Sequence, residues 1–182
     1  MRLSNRVLGI KHSAIRKFYV YANKAKAEGK KVYYLNIGQP DITTPEIFME
    51  EVRKYDSRVL EYAPSEGIPS LMDAIIDYYR RYGMEYDRHN VLITNGGSEA
   101  LTFIMSCILD PGDEVIIPEP YYTNYSTFIA MSDGKVRPLT TIPENGYHYA
   151  DKEKILPLIN ERTKAILLAN PGNPTGNIPD QS

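Results

Sequence analysis

Glu114-Val115-Ile116-Ile117-Pro118-Glu119-Pro120-Tyr121-Tyr122 decides the fold. Its apolar centre is short and continuous, with no polar alternation, which is the pattern of a strand in a parallel sheet covered on both faces. The prolines end the strand, and two tyrosines follow at once. Ahead of it, Asp110-Pro111-Gly112-Asp113 reads as a turn. Before that turn, Leu101, Ile104, Met105, Ile108 and Leu109 give a broad apolar face at helical spacing, which predicts a mostly buried helix. Cys107 lies among these residues, and a packed core thiol is the reading they favour. Behind the central strand come a helix from about Thr123 to Met131, a strand Lys135-Val136-Arg137-Pro138-Leu139 and an irregular link to Tyr149. A helix around Lys152–Ile159 and a second buried strand, Lys164-Ala165-Ile166-Leu167-Leu168-Ala169, complete the series. Strand and helix alternate repeatedly, so the fold class is α/β with an open, mainly parallel sheet.

Toward the amino terminus the same grammar holds. Val91-Leu92-Ile93-Thr94-Asn95-Gly96-Gly97-Ser98-Glu99-Ala100-Leu101 reads as a buried strand, a glycine turn and the first turn of the apolar helix. Pro69 opens an earlier helix in which Leu71, Ile75, Tyr78, Tyr79 and Tyr82 recur at helical spacing before Gly83 stops it. Tyr62-Ala63-Pro64-Ser65-Glu66-Gly67-Ile68-Pro69 is a rigid loop. Thr44-Pro45 supplies a cap and a first-turn proline for a helix through Ile47, Phe48, Glu51 and Val52. Val32-Tyr33-Tyr34-Leu35-Asn36-Ile37 is rich in β-formers and ends at Gly38-Gln39-Pro40-Asp41. A helix capped by Ser13, with Ile15, Phe18, Tyr19 and Ala22 on one face, follows an arm over residues 1 to 12.

In open α/β sheets, ligands gather beyond the carboxyl ends of the strands. Three segments follow strands directly: Gly96-Gly97-Ser98, Pro120-Tyr121-Tyr122 and Asn173-Pro174-Thr175-Gly176. The first NH groups of a helix lack carbonyl partners and carry partial positive charge, so the glycine turn suits a phosphate. An ordinary glycine turn with Ser98 as cap is the competing reading of that segment alone. With a tyrosine ring at Tyr122 and an amide at Asn173, the set describes a flat, phosphorylated aromatic ligand. Glu99 is expected to contribute only its backbone NH, because its carboxylate would repel phosphate. Asn173-Pro174 is a candidate for a cis peptide beside that ligand.

Length and charge narrow the classes. At 182 residues, 42% of them hydrophobic, the chain is long enough for a sizeable core. Twenty-one basic against 23 acidic residues leave a net charge of -2, so no basic field points to nucleic acid or an anionic membrane. No apolar run approaches spanning length, and no signal-peptide hydrophobic region follows Met1. One cysteine excludes an internal disulfide and a Cys-rich metal site, and the expected compartment is the cytoplasm. No metal-ligand cluster stands out. His12, His89 and His148 lie in unrelated contexts, which gives a serine triad little support.

The sequence resembles the class I/II aminotransferases, fold-type I enzymes dependent on pyridoxal 5'-phosphate. Gly38-Gln39-Pro40-Asp41 with Thr44-Pro45 resembles the family's substrate-carboxylate turn, in which Gly38 would offer its NH. Tyr62 resembles the tyrosine that reaches the cofactor phosphate of a partner subunit, which implies a homodimer. Gly97, Ser98 and Glu99 match the phosphate-binding turn, Tyr122 the residue stacked on the pyridine ring, and Asn173 the asparagine bonded to its phenolic oxygen. Gln39 departs from the pattern, since many relatives carry glutamate there.

The resemblance covers the front part of the family's length. It implies an arm and small-domain segment over residues 1–42 and the first part of the large cofactor-binding domain over 43–182. The Schiff-base lysine, the aspartate facing the pyridine nitrogen and the carboxylate-clamping arginine lie further on in the family. Lys135, Lys152 and Lys164 do not match the lysine's motif. The implied reaction moves an amino group between an α-amino acid and a 2-oxo acid, with residues 1–182 inactive alone. Two alternatives stand beside it: another fold-type I enzyme such as a C–S lyase, decarboxylase or cyclising lyase, and a noncatalytic phosphate-ligand-binding domain. The second predicts a dinucleotide signature with an acidic ribose contact, and Asn95-Gly96-Gly97-Ser98 is not that pattern.

Overall fold

A computed structural model describes residues 2–10, 16–149 and 151–179. In chain order it contains α1 (Asn5–Gly9), α2 (Tyr19–Ala27), α3 (Glu46–Lys54), α4 (Pro69–Arg80), α5 (Gly97–Ile108), β1 (Glu114–Glu119), α6 (Asn124–Met131), β2 (Lys135–Thr140), α7 (Lys152–Ile155) and β3 (Thr163–Ile166). Short 3-10 turns lead into α2 and follow α7. The chain divides into two compact units, Met1–Val32 with Gly96–Ser182, and Tyr33–Asn95. Among the described residues no helix is long and apolar enough to cross a membrane.

The larger unit is built around β1. It pairs in parallel with β2 on one side and β3 on the other, in the order β2-β1-β3. Glu114 lies opposite Lys135 and Glu119 opposite Thr140. On the β3 side, Val115 faces Ala165 and Ile116 faces Ile166 after a register irregularity at the start of the strand. Because side chains alternate across a strand, the apolar run serves both faces. Val115 and Ile117 join Met105 of α5, Leu109 directly after that helix and Ile129 of α6 in one buried cluster. Ile116 turns the other way, onto Leu139 and Tyr149, with Ile155 and Leu158 against them. Each fully buried aliphatic side chain of this kind stabilises the fold by about 1.5–3 kcal/mol. The turn ahead of β1 is fastened by the Asp110 and Asp113 N–H groups, which donate to Asp113 Oδ2 at 2.9 Å and Asp110 O at 3.0 Å.

Several local expectations fail in this unit. Phe103, Ile104 and Ile108 are exposed, so α5 is buried at Met105, with Leu109 at its end, and not all round. Cys107 is exposed too, because it falls on the face turned away from the sheet. Phe18 and Tyr19 are likewise exposed, and the proposed cap Ser13 and its neighbour Ile15 lie outside the described residues.

The smaller unit is helical. Pro69 occupies the first turn of α4, as its fixed φ and missing N–H suit it to do. The buried residues of α4 are Met72 and Ile76; Leu71, Tyr78, Tyr79 and Tyr82 remain exposed, so the stripe lies beside the predicted one. Two segments expected to be strands join no sheet among the described residues: Val32–Ile37 and Val91–Thr94. The second is extended, with Val91 at φ -122° and ψ 127°, and the Ile93 N–H donates to Glu66 O at 2.8 Å. β-forming side chains make a strand only where a neighbouring strand receives the backbone groups. Thr44 does not cap α3, whose N-cap position is Pro45 with no side-chain hydrogen bond.

Candidate active site

The amino end of α5 is shaped by backbone. Gly96 takes the N-cap position at φ 79° and ψ 174°, a region closed to side chains bearing a Cβ. Ser98 is therefore inside the first turn and is not the cap. Being glycine, the N-cap residue brings no side chain of its own to the helix start. A Cβ added at Gly96 or Gly97 would meet nothing within 4 Å, so the turn faces open space. Glu99 adds a half-buried carboxylate to the first turn, and the Ser98 carbonyl accepts from Thr102 Oγ1 at 2.8 Å.

Tyr122 follows β1 and is half-buried. Its hydroxyl accepts from Asn124 Nδ2 at 2.7 Å, and its ring meets Tyr125 edge to face at 5.5 Å and 85°. Tyr125 packs against the apolar cluster under the sheet, so the Tyr122 ring is tied to the core through one intermediary.

Asn173 lies in the loop after β3, where the Asn170-Pro171 and Asn173-Pro174 bonds are cis, as is Glu119-Pro120 after β1. The loop closes on itself. The Gly172 N–H donates to Asn177 O at 2.8 Å, and the Gly176 N–H donates to Gly172 O at 2.7 Å. Asn173 is exposed and borders a cavity also lined by Glu119, Tyr121, Tyr125, Tyr147 and Tyr149.

Sheet geometry relates these three segments. β1 and β3 are parallel neighbours, so the loops bearing Tyr122 and Asn173 leave the same carboxyl edge. At the other end of α5, Leu109 Cδ1 would lie 2.8 Å from a Cβ on Gly134, just ahead of β2. The carboxyl end of α5 is thus at the amino edge of the strands, and its amino end, with Gly97 and Ser98, points toward the carboxyl edge. Tyr62 and Gly38 belong to the smaller unit, where Tyr62 is fully exposed and Gly38 is the central residue of a turn closed by the Gln39 N–H on Ile37 O at 3.0 Å.

Hydrogen bonds from Arg6 hold the Asp133 carboxyl below its usual range, and those from Arg88 do the same for Asp73. The Tyr78 hydroxyl is raised by its hydrogen bond with Tyr82.

Two residues near the site escaped the sequence reading. Asn177 donates from Nδ2 to Gly146 O at 2.8 Å, joining the Asn173 loop to the segment after β2. Tyr149, 7% exposed, has a buried hydroxyl with no hydrogen-bond partner among the described residues. The only advance signal for Asn177 is its place directly after Asn173-Pro174-Thr175-Gly176, in a run made of turn-forming residues.

A parallel sheet covered by helices, with the candidate loops at its carboxyl edge, is the arrangement of the large domain in fold-type I enzymes, whose aspartate aminotransferases are among its structural neighbours. The model of the family "Aminotransferase class I and II" matches residues 30–182, and the chain belongs to that family. It is 36% identical over 176 residues to the aspartate/prephenate aminotransferase of Thermus thermophilus, covering 96% of this chain and 46% of the relative. A solved structure of a Thermus thermophilus aspartate aminotransferase mutant superposes with a TM-score of 0.88 at 37% identity, over 98% of this chain and 47% of that one. The alanine aminotransferase of Pyrococcus furiosus gives 0.89 at 34%, over 99% and 47%. The chain therefore spans about half the length of the curated relatives it matches.

Proposed function

We propose that the complete protein is a pyridoxal-phosphate-dependent aminotransferase that moves an amino group between an α-amino acid and a 2-oxo acid in the cytoplasm. The observation that carries this reading is the glycine turn at the start of α5, with open space around Gly96 and Gly97, at the edge from which the Tyr122 and Asn173 loops emerge. The donor set fits the group. Backbone N–H groups at Gly97, Ser98 and Glu99, with the helix dipole behind them, suit a phosphate dianion. The Ser98 hydroxyl adds a further donor. Tyr122 offers a ring face whose orientation is fixed by Tyr125 and Asn124. The Asn173 amide suits the cofactor's phenolic oxygen, where a donated hydrogen bond favours the ionised form. When bound, the cofactor supplies the electron sink for proton transfer at the amino acid's α-carbon.

Gly38 is assigned the substrate carboxylate, through its backbone N–H. Tyr62 is assigned the cofactor phosphate of a second subunit in a homodimer, a role consistent with its complete exposure. Residues 1–42 are assigned to an arm and small-domain segment, and 43–182 to the first part of the cofactor-binding domain. Residues 1–182 alone are expected to bind the cofactor weakly or not at all and not to transaminate. The test is direct: the complete protein, loaded with cofactor, is given aspartate or alanine with a 2-oxo acid partner, and new amino acid is measured. Tyr122→Ala should weaken cofactor retention in equilibrium dialysis by about tenfold, in line with the loss of one stacked ring. Absence of amino transfer from every α-amino donor, or unchanged retention in that variant, would overturn the assignment.

A further inference from the structure

The Asn173 loop is anchored at one more point than the proposed chemistry requires. Within the loop, the Gly172 N–H to Asn177 O and Gly176 N–H to Gly172 O bonds use backbone atoms alone, and the Asn177 N–H donates to Thr175 Oγ1 at 3.3 Å. These set the loop's own shape. The remaining bond is different in kind. Asn177 Nδ2 leaves the loop and donates to the Gly146 carbonyl at 2.8 Å, in the segment that connects β2 to α7. That segment is itself held, since the Tyr147 N–H donates to Ile142 O at 3.0 Å and Tyr149 is buried against Ile116 and Leu139. Asn177 thus ties a loop whose Asn173 is exposed to a neighbour rooted in the core.

We infer that Asn177 is a positioning residue, which sets where the Asn173 amide stands by latching its loop to Gly146. The inference rests on the assignment of Asn173 to the cofactor's phenolic oxygen. A loop free to pivot about its two ends would present that amide over a spread of positions. The latch removes this freedom and leaves the loop's internal turn untouched. Substitution at position 177 therefore affects aim and not fold, because among the described residues the loop's other hydrogen bonds are made by backbone atoms or by Thr175.

Asn177→Asp is near-isosteric but has no N–H to donate, so a carboxylate oxygen would face the carbonyl. Asn177→Ala removes the contact outright, and Asn177→Gln keeps the amide on a longer arm. In the complete, cofactor-loaded protein, Asn177→Asp and Asn177→Ala are expected to weaken cofactor affinity by about three- to tenfold, the worth of one hydrogen bond. They should also raise the pH midpoint of the bound cofactor's visible absorption change, since a misaimed Asn173 no longer favours the ionised oxygen. Asn177→Gln should recover most of both. Asn173→Ala, measured alongside, should move the same midpoint further in the same direction. If Asn173→Ala moves the midpoint while both Asn177 variants leave midpoint and affinity unchanged, the latch is refuted and the assignment of Asn173 survives. If Asn173→Ala moves neither, that assignment fails, and the role of Asn177 fails with it. Should Asn177→Ala not fold, Asn177→Asp carries the test alone.

Discussion

The two units of this chain use similar residues to very different effect. Around β1, Val115, Ile116, Ile117 and Ile129 are completely or almost completely buried, on two faces of one sheet. Between Tyr33 and Asn95 the buried residues are Gly67, Met72 and Ile76, while Leu35 is 96% exposed and Leu60 81%. The difference lies in the partners each segment finds. Parallel pairing gives the Val-Ile-Ile run neighbours on every side, whereas the buried residues of the smaller unit lie on one helix face and at one close glycine contact. Composition supplies the apolar surface, and pairing decides whether it is buried.

Truncation in the sheet is the strongest way to probe this contrast. Ile117→Ala or Ile129→Ala should cost about 2–5 kcal/mol by denaturant unfolding, because the surrounding strands and helices cannot collapse into the space. A loss below 1 kcal/mol would contradict the two-faced core. Next in size is the one tight point of the smaller unit. Gly67 adopts φ +123°, and a Cβ there would overlap Cγ1 and Cβ of Ile93. Gly67→Ala should destabilise that unit by about 1–3 kcal/mol, read as faster hydrogen exchange at the Ile93 amide. Adding Ile93→Ala should recover only part of the loss, because the Ile93 Cβ that alanine keeps would still lie 2.6 Å from the new Cβ and the backbone strain stays.

A smaller effect is expected where α1 meets the turn after α6. Arg6 Nε donates to Asp133 Oδ1 at 2.9 Å, and a second bond runs from the same guanidinium to Oδ2. The depressed Asp133 pKa gives the sign. Its contribution is present above the ordinary carboxylate value of about 3.9 and is lost as the pH falls through the lower folded value. Asp133→Asn should therefore shift the unfolding midpoint slightly at neutral pH, less in high salt, and not at all below the folded pKa. Smallest of all, Leu35→Ser should leave stability unchanged within the error of denaturant titration, since its side chain already stands in water. A clear loss there would place a contact where the structure has none.

The parallel core was legible because its signals are local. A continuous apolar run, a Pro-Gly turn and an apolar helix face each follow from the residues themselves, and β1, β2 and β3 appear where those signals are. Val32–Ile37 and Val91–Thr94 carry strand-forming residues, yet pairing depends on distant backbone that no local pattern encodes. The same limit applies to Cys107 and to the tyrosines of α4, where an apolar stripe was visible but the side facing the core was not. In the candidate site, Tyr122 and Asn173 were legible by kind and by position after strands. Asn177 was not, because a side-chain amide bonded to a remote carbonyl leaves no mark in spacing. Serine is a common cap, which kept that role open for Ser98 beside the phosphate one, but the glycine two positions earlier takes the cap position.

The central position of β1 also bears on the order of assembly. From Glu114 to its partner Lys135 the chain closes a loop less than half as long as that to Thr163. Each doubling of loop length costs roughly 0.6 kcal/mol in closure entropy. The β1–β2 pair is therefore the cheaper nucleus, onto which β3 docks afterwards, and pulse-labelled amides should gain protection along β2 before β3.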